Sequence, residues 1–205
     1  TNLNANFHVN KQLNDDFEVH GFVRGEYFKS FVQEQQLWTN NGLIVPGQFF
    51  IGNSKGTVGY SGAINGEKTM MSVVGQVGAS WKNQLYIDVT GRNDWSSTLP
   101  KENRSYFYPS VSGSFVFTEL LPENDILSFG KIRGSWAKVG KDADPYVTNS
   151  YLWAVATVHN DKLGIGNSWT GGSLTLKPEI QNSYELGAEL RFFNGRLIFD
   201  YTYYK

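Results

Sequence analysis

The 205-residue sequence has no cysteine, two methionines and almost no net charge. The absence of cysteine excludes a disulfide scaffold, and the chain also lacks the run of about 18 apolar residues that a transmembrane helix needs. The 18 lysines and arginines against 19 aspartates and glutamates supply no basic field for binding nucleic acid. Mean hydropathy is −0.37, which does not separate a soluble domain from a membrane β-barrel, because the two faces of a barrel strand offset each other.

The two ends of the sequence carry no recognisable terminal signal. The first seven residues lack the charged region and the apolar core of a signal peptide. The last residues, from Leu197 onward, still alternate between apolar and polar side chains. We therefore expect the chain to be part of a longer protein.

Apolar or small residues alternate with polar or charged residues along much of the chain, which also contains 22 glycines and 15% aromatic residues. Alternation with period two indicates strands whose two faces meet different surroundings. We predict eight strands, at about residues 2–11, 17–28, 70–81, 85–92, 106–118, 128–139, 183–193 and 196–204. A turn is expected at 122–125, and Asn194-Gly195 is the strongest two-residue hairpin signal.

The connections between these strands alternate between short and long. The long loops are expected at about residues 29–69, 93–105 and 140–181. An up-and-down meander places all short turns at one end and all long loops at the other, as outer-membrane barrels do. The sequence therefore predicts an all-β fold, an antiparallel up-and-down transmembrane β-barrel segment in which residues 1–205 belong to one barrel domain.

The two faces of the predicted strands differ in charge. None of the 34 residues assigned to the apolar face of the other seven strands is charged, whereas in the sixth strand Lys138 shares the face of Ile132 and Trp136 and can reach headgroups. A lysine or arginine facing lipid at mid-membrane costs roughly 2–4 kcal/mol, so an uncharged face is expected of a barrel exterior. Aromatic residues at the strand ends fit interfacial girdles. The alternative is a soluble β-sandwich with aromatic core corners.

Several blocks of the sequence resemble a known family. They are GRNDWSSTLP at 91–100, YFYPSVS at 106–112, FTE at 117–119, LSFGKIRGSW at 127–136, VGKDADPY at 139–146, LKPE at 176–179 and ELGAELRFF at 185–193. In this order, over about residues 70–205, they resemble the barrel of SusC/RagA-type TonB-dependent transporters of Bacteroidetes. Residues 1–69 fit barrel sequence but carry no such motif.

The resemblance implies a protein much larger than this chain. It implies a barrel of the 22-stranded class around an N-terminal plug, of which eight strands are roughly a third. The function implied is outer-membrane import of nutrients, most readily glycan oligosaccharides and in some members peptides. The implied partners are a SusD-like lipoprotein acting as a lid, TonB through an N-terminal region absent here, and lipid or lipopolysaccharide around the barrel.

Two groups of residues are candidates for binding. The first consists of charges expected to face the lumen, where they either contact substrate or plug or form salt-bridge ladders that brace the wall: Arg24, Glu26, Asp88, Arg92, Glu185, Glu189 and Arg191. The second consists of loop aromatics, which stack on sugar rings, contact the lid or pack within their own loops: Trp38, Tyr60, Tyr146, Tyr151, Trp153 and Trp169.

Neither catalysis nor a cofactor is indicated by the sequence. No Ser/His/Asp or paired-carboxylate arrangement can be traced, so we do not expect an enzyme. The histidines lack ligand spacing. Asp142 and Asp144 with Asn149 give only a weak calcium signal, because the other spaced oxygens of a calcium loop are missing.

Three functions remain open on these grounds. The first is the nutrient importer. The second is a complete eight-stranded outer-membrane barrel that acts as an adhesin or structural protein. The third is a soluble carbohydrate-binding β-sandwich, which should need no detergent to stay in solution.

Overall fold

The computed structural model describes residues 1–122, 126–159 and 162–205. Within these residues the chain forms ten strands: β1 (Asn2–Gln12), β2 (Phe17–Trp38), β3 (Gly59–Trp81), β4 (Leu85–Ser96), β5 (Ser105–Val116), β6 (Leu127–Lys141), β7 (Leu152–His159), β8 (Lys162–Asn167), β9 (Glu179–Phe192) and β10 (Leu197–Tyr204). Short 3-10 turns occupy Ile51–Asn53, Lys101–Asn103 and Phe117–Leu120. Among the described residues, no helix has the length and apolarity required to cross a membrane.

Eight of the strands form one antiparallel sheet. Its order is β1-β2-β3-β4-β5-β6-β9-β10, while β7 and β8 pair separately as a hairpin. Within the described residues, β1 and β10 each pair on one side only, so the sheet is open. The prediction of an all-β antiparallel up-and-down sheet is confirmed. The prediction missed the β7–β8 hairpin, which lies within the expected loop at 140–181.

The short connections lie at one end of the sheet and their turn chemistry explains two of them. Lys82 and Asn83 both have positive φ, 51° and 54°, and Gln84 N donates to Trp81 O at 2.9 Å. This is a type I′ turn, whose twist matches the twist of the strands that it joins. At the β1–β2 turn, the Asn14 side chain accepts from the backbone N–H of Asp16 and Phe17.

The β9–β10 turn differs by one position from the predicted one. Phe193 and Asn194 occupy the central left-handed positions, with φ of 53° and 55°, and Gly195 follows at 82°. The turn is shifted because Leu197 pairs with Phe192 in the β9–β10 ladder, which leaves the four residues 193–196 in the loop. The turn expected at 122–125 lies partly outside the described residues, which exclude 123–125.

The strands on the long-loop side extend further than predicted. β2 continues to Trp38 and β3 begins at Gly59, so the connection expected at 29–69 contains only residues 39–58 outside the two strands. Beyond Lys29, residues on both faces of β2 are mostly exposed. Both faces therefore meet the same surroundings, and the alternation that marks a strand in the sequence disappears. β4 likewise continues to Ser96, and β9 begins at Glu179.

The face of the sheet that carries the uncharged residues, here the apolar face, is exposed. Val77 and Phe7 are each 69% exposed, and Leu186 is 65% exposed. The buried hydrophobic residues among those described are Leu99, Tyr106 and Val116. A soluble sandwich would bury the apolar face against a second sheet. The described residues provide no such sheet, and the sandwich alternative fails.

Aromatic residues mark both limits of this apolar face. Phe17 and Trp81 lie together at the short-turn end, with ring centroids 6.4 Å apart. Ten residues further along β2, Tyr27 pairs with Met71, which pairs with Trp95. At about 3.3 Å per residue and a strand tilt of about 40°, the two levels are about 25 Å apart, the height of the apolar band of an outer-membrane barrel. We call the surface between them the apolar belt.

A charged pair follows the apolar belt on the same face. Lys29 Nζ lies 2.6 Å from Glu67 Oε1. Both residues keep the register of Tyr27 and Met71, since Lys29 pairs with Thr69 and Phe31 pairs with Glu67. The face that is uncharged from Phe17 to Tyr27 therefore becomes charged two residues later, at Lys29, as expected at the edge of a membrane.

Candidate functional site

The opposite face of the sheet, here the polar face, carries an ion-pair network near the long-loop end. Arg24 Nε lies 2.7 Å from Glu26 Oε1, and Arg92 Nη1 lies 3.1 Å from Glu26 Oε2. The period of two places Arg24 and Glu26 on one face of β2, and the ladder brings Arg92 alongside. Three of the predicted lumen charges are therefore in one network that joins β2 to β4.

Asp94 lies at the buried end of this network. It is 3% exposed and accepts from Arg92 Nε at 2.7 Å and from the Tyr108 hydroxyl. Arg92 Nη2 donates to Ser72 Oγ at 3.0 Å, and Ser72 is also buried. We call Arg24, Glu26, Ser72, Arg92, Asp94 and Tyr108 the rim network. It links four consecutive strands, β2 to β5.

The other predicted charges lie in separate places on the polar face. Asp88 is 2.8 Å from His20 Nε2 and accepts from Gln76 Nε2 at 2.8 Å. Glu189 pairs with Arg191 at 2.6 Å. No ion pair of Glu185 is found among the described residues, although its charge acts on Arg133. That any of these charges contacts a ligand stays a prediction.

Arg133 and Asp200 form a further pair that the sequence analysis did not single out. Arg133 Nη2 lies 2.7 Å from Asp200 Oδ1 and donates to Thr202 Oγ1 at 2.6 Å. The guanidinium crosses β9 directly over Gly187, where a Cβ would lie 2.6 Å from Arg133 Nε. Glycine at this position lets an arginine on β6 reach β10.

A second site lies just beyond β6, where Asp142 holds three separate segments together. Its carboxylate accepts from Lys68 Nζ at 2.6 Å, from Ser96 Oγ at 2.5 Å and from Thr98 Oγ1 at 3.3 Å. We call these four residues the Asp142 clamp. Among the described residues, no group of three His, Cys, Asp or Glu could hold a metal ion. The Asp142 carboxylate accepts hydrogen bonds from an ammonium group and two hydroxyls, and the weak calcium signal of Asp142 and Asp144 stays a prediction.

The electrostatics of the clamp predict a pH dependence. Burial opposes ionisation of Asp142, but the hydrogen bonds from Lys68 and Ser96 hold the pKa of the carboxyl below its usual value. Its stabilising contribution is therefore complete above the unfolded pKa of about 3.9, and it is lost as the pH falls through the lower folded-state pKa. We expect Asp142→Asn in the full-length protein to lower the unfolding temperature at neutral pH and to flatten its dependence on pH in the acid range.

The pH dependence of the unfolding temperature is measured by thermal unfolding of the wild type and Asp142→Asn in detergent, between neutral and strongly acidic pH. Asp144→Asn is the matched control, because Asp144 is exposed and lies only two residues away. If both variants follow the wild-type acid profile, the clamp does not stabilise the protein in this way.

A groove opens beside the clamp, between β3, the β4–β5 connection and the segment after β6. Thr98 and Leu99, both buried, contribute to its lining. Side chains of both charges also line it, together with one of the predicted loop aromatics: Glu67, Lys101, Glu102, Arg104 and Tyr146. Tyr146 has a positive φ of 67°.

The other predicted aromatics are divided between two regions. Trp38 lies over Gly59 at the end of the β2–β3 ladder, and Trp153 lies over Gly166 in the β7–β8 hairpin, where its Nε1 donates to Asn167 O at 2.9 Å. These two rings therefore pack against their own partner strands. The three with largely exposed side chains are Tyr60, Tyr151 and Trp169. The structure does not gather the six into one site, and their contact with substrate or lid stays a prediction.

Comparison with known proteins gives the family. A family model described as TonB dependent receptor-like, beta-barrel matches residues 1–205. The chain belongs to this TonB-dependent receptor family. TonB-dependent receptor P26 of Formosa agariphila is 31% identical over 142 residues, 65% of this chain and 14% of that protein. TonB-dependent receptor P3 of the same organism is 26% identical over 199 residues, 93% of this chain and 20% of that protein.

Solved structures extend this finding to the fold of the TonB-dependent barrel. The RagAB peptide transporter is similar with a TM-score of 0.78 at 18% identity, over 99% of this chain and 23% of that chain. The RagAB peptide importer in its open-open state gives 0.76 at 20% identity, over 99% and 22%. The resemblance to SusC/RagA-type barrels is confirmed. The chain spans a fifth or less of the length of the curated relatives. Its eight-stranded sheet is open in the described residues, whereas the complete small barrel considered above would be closed.

The sequence analysis did not single out three residues of the rim network, of which Asp94 lies in the motif at 91–100 and Tyr108 in the motif at 106–112, while Ser72 lies in neither. Asp94 lies two positions after Arg92 on the same face of β4, and period two alone could have suggested their pairing. Tyr108 is opposite Arg92 in the β4–β5 ladder. Lys68 and Asp142 are 74 residues apart, and no local pattern signals that contact.

Proposed function

We propose that this chain forms part of the wall and the extracellular rim of a TonB-dependent nutrient importer in the bacterial outer membrane. The observation that supports this most directly is the contrast between the two faces of the open sheet in a chain of this family. The apolar belt has the height of the apolar band of an outer-membrane barrel and would contact lipid and lipopolysaccharide. The polar face, lined by the rim network, would face a hydrated lumen that contains the plug.

The proposed substrate is an oligosaccharide, taken up beneath a SusD-like lipoprotein lid and driven by TonB through a region outside this chain. Exposed aromatic rings on the long-loop side, Tyr60, Tyr151 and Trp169, support a sugar because such rings stack on sugar faces. A peptide is the second candidate. One support for a peptide is the groove at Tyr146, whose acidic and basic side chains could pair with the termini and charged groups of a peptide. Another is that the similar RagAB structure is described as a peptide transporter. We propose that the protein moves its substrate across the membrane without changing it chemically.

The mass of the native polypeptide tests the proposal. Detergent-extracted outer membrane should yield a protein that contains these peptides and is several times larger than 23.1 kDa. A mass near 23.1 kDa would refute the importer, because eight strands leave no lumen for a plug or a nutrient. Titrating the purified full-length protein with oligosaccharides and with peptides then separates the two substrates, and deletion of the gene should abolish uptake of the one that binds.

A further inference from the structure

The groove at Tyr146 has the size and the position of a binding site for a water-borne ligand. Its volume is about 520 Å³, within the range of about 300–1,000 Å³ that is usual for small-ligand sites. Glu67, which contributes to its lining, belongs to the charged pair that ends the apolar belt. The groove therefore lies beyond the belt, on the long-loop side. Its buried Thr98 shares a hydrogen bond of 2.9 Å with Ser96 of the polar face.

The β4–β5 connection, which forms one wall of this groove, is fixed by hydrogen bonds at both of its ends. Ser97 N donates to Thr69 O at 2.9 Å, and Thr69 N donates to Ser97 Oγ at 2.9 Å. Further along, Asn103 Nδ2 donates to Leu176 O at 2.9 Å. A wall that is ordered before a ligand arrives loses little conformational entropy when the ligand binds.

Arg104 is anchored to this wall through one of its three side-chain nitrogens. Its Nε donates to Leu99 O at 3.1 Å, and its side chain lines the groove. Within residues 1–122, 126–159 and 162–205, Nη1 and Nη2 have no hydrogen-bond or ion-pair partner. A guanidinium held at Nε presents its remaining N–H groups as a fork, which is the geometry that binds the two oxygens of a carboxylate.

The balance of unpaired charges in the groove also favours an anion. Glu67 is compensated by Lys29 Nζ, 2.6 Å from its carboxylate. Lys101 lines the groove and, like Arg104, forms no ion pair with any described residue. Glu102 is the acidic side chain of the lining that is likewise unpaired in the described part of the chain. Two free cations therefore stand against one free carboxylate.

We propose that the groove at Tyr146 is a subsite for a carboxylate group of the imported nutrient, and that Arg104 determines this specificity. The subsite rests on the proposed function and deepens it, because it selects nutrients by their charge. Two sources supply such a group: a uronic acid unit of an acidic oligosaccharide, or the C-terminus of a peptide. Arg104 binds the carboxylate oxygens and Lys101 adds a point charge. The ring of Tyr146 packs against the adjoining sugar ring or apolar side chain.

Titration of the full-length protein with matched pairs of ligands tests the subsite. A galacturonic acid trisaccharide is compared with its methyl ester, and trialanine with its C-terminal amide. We expect the carboxylated member of one pair to bind at least about tenfold more tightly than its neutral counterpart, since hydrogen bonds to charged groups are the strong ones. High salt should reduce this preference. Arg104→Gln should remove most of it and leave the affinity for the neutral member within about twofold of wild type.

Lys101 and Glu102 provide matched variants that do not disturb the wall. They are adjacent on the turn Lys101–Asn103, both are exposed, and neither side chain has a hydrogen bond or ion pair to a described residue. Lys101→Gln should weaken binding of the carboxylated ligand and Glu102→Gln should strengthen it, each by about two- to threefold, because their charges are opposite and screened by solvent. Equal affinities of the two variants would contradict recognition by charge in this groove.

The outcomes identify the source of the carboxylate or reject the subsite. A preference in the sugar pair that Arg104→Gln removes assigns an acidic oligosaccharide, and the same result in the peptide pair assigns a peptide C-terminus. If neither pair shows a preference, or if Arg104→Gln keeps it, the subsite is refuted and the importer stands. If Arg104→Gln lowers only binding to lipopolysaccharide vesicles, the anion is a lipid headgroup and the subsite is wrong. Failure of the proposed function is seen separately, as a native polypeptide near 23.1 kDa or as nutrient uptake that deletion of the gene leaves unchanged.

Discussion

Replacing Val89 by arginine is expected to destabilise the folded barrel in a bilayer by roughly 2–4 kcal/mol. Val89 is exposed on the apolar face and pairs with Val77 on one side and Val111 on the other. It lies near the middle of the apolar belt, where a guanidinium is furthest from headgroups and water. The effect should be seen as a lower denaturant midpoint of the full-length protein refolded into lipid vesicles.

Thr90→Arg is the matched control for this substitution. Thr90 is the next residue of β4 and pairs with Gln76 and Ser110 on the polar face. Its replacement places the same charge at the same height, but on the side that we propose to be hydrated. The assignment of the two faces would be wrong if Thr90→Arg were the more damaging variant, or if the two were equal.

Replacing Asp94 by alanine should have the second large effect. Asp94 is almost fully buried and accepts from Arg92 and Tyr108. Removing one partner of a buried ion pair costs roughly 3–5 kcal/mol, because the other charge is left uncompensated. Arg92 keeps Glu26 at 3.1 Å and is 26% exposed, so we expect a loss near the lower end of that range.

Tyr108→Phe separates the charge from the hydrogen bond in the rim network. It removes one hydroxyl and leaves the pair of Arg92 and Asp94 intact, so it should cost about 1–2 kcal/mol. Chemical denaturation of both full-length variants in the same detergent measures the difference. Equal losses for Asp94→Ala and Tyr108→Phe would show that the buried carboxylate does not compensate the arginine.

The sheet could be predicted from the sequence wherever its two faces meet different surroundings. Between Phe17 and Tyr27, every second residue of β2 belongs to the apolar belt, and the alternation gives both strand and face. From Lys29 to Trp38 both faces are mostly exposed, and the composition no longer alternates. The prediction therefore ended β2 ten residues early, although the backbone pairing with β3 continues.

The candidate sites were less predictable because they depend on long-range pairing. Arg24, Glu26 and Arg92 could be assigned to one face by period two, but their mutual contacts depend on the register between strands. Asp142 was noticed for its neighbours Asp144 and Asn149, whereas its actual partners lie on β3 and at the end of β4. The β7–β8 hairpin was missed because no strong turn signal separates its strands in the sequence.

The shift in register between Glu34 and Gln36, on β2 opposite β3, shows where this architecture can change without loss. Inside the apolar belt, inserting or deleting one residue would exchange the faces of every following side chain in the strand. Beyond the belt the ladder already accommodates such an irregularity, and neither face is tied to lipid. Natural variation in length, and engineered insertions such as an epitope tag, should therefore be tolerated in residues 30–66, beyond the belt, so that recognition can diversify while the membrane-spanning wall stays unchanged.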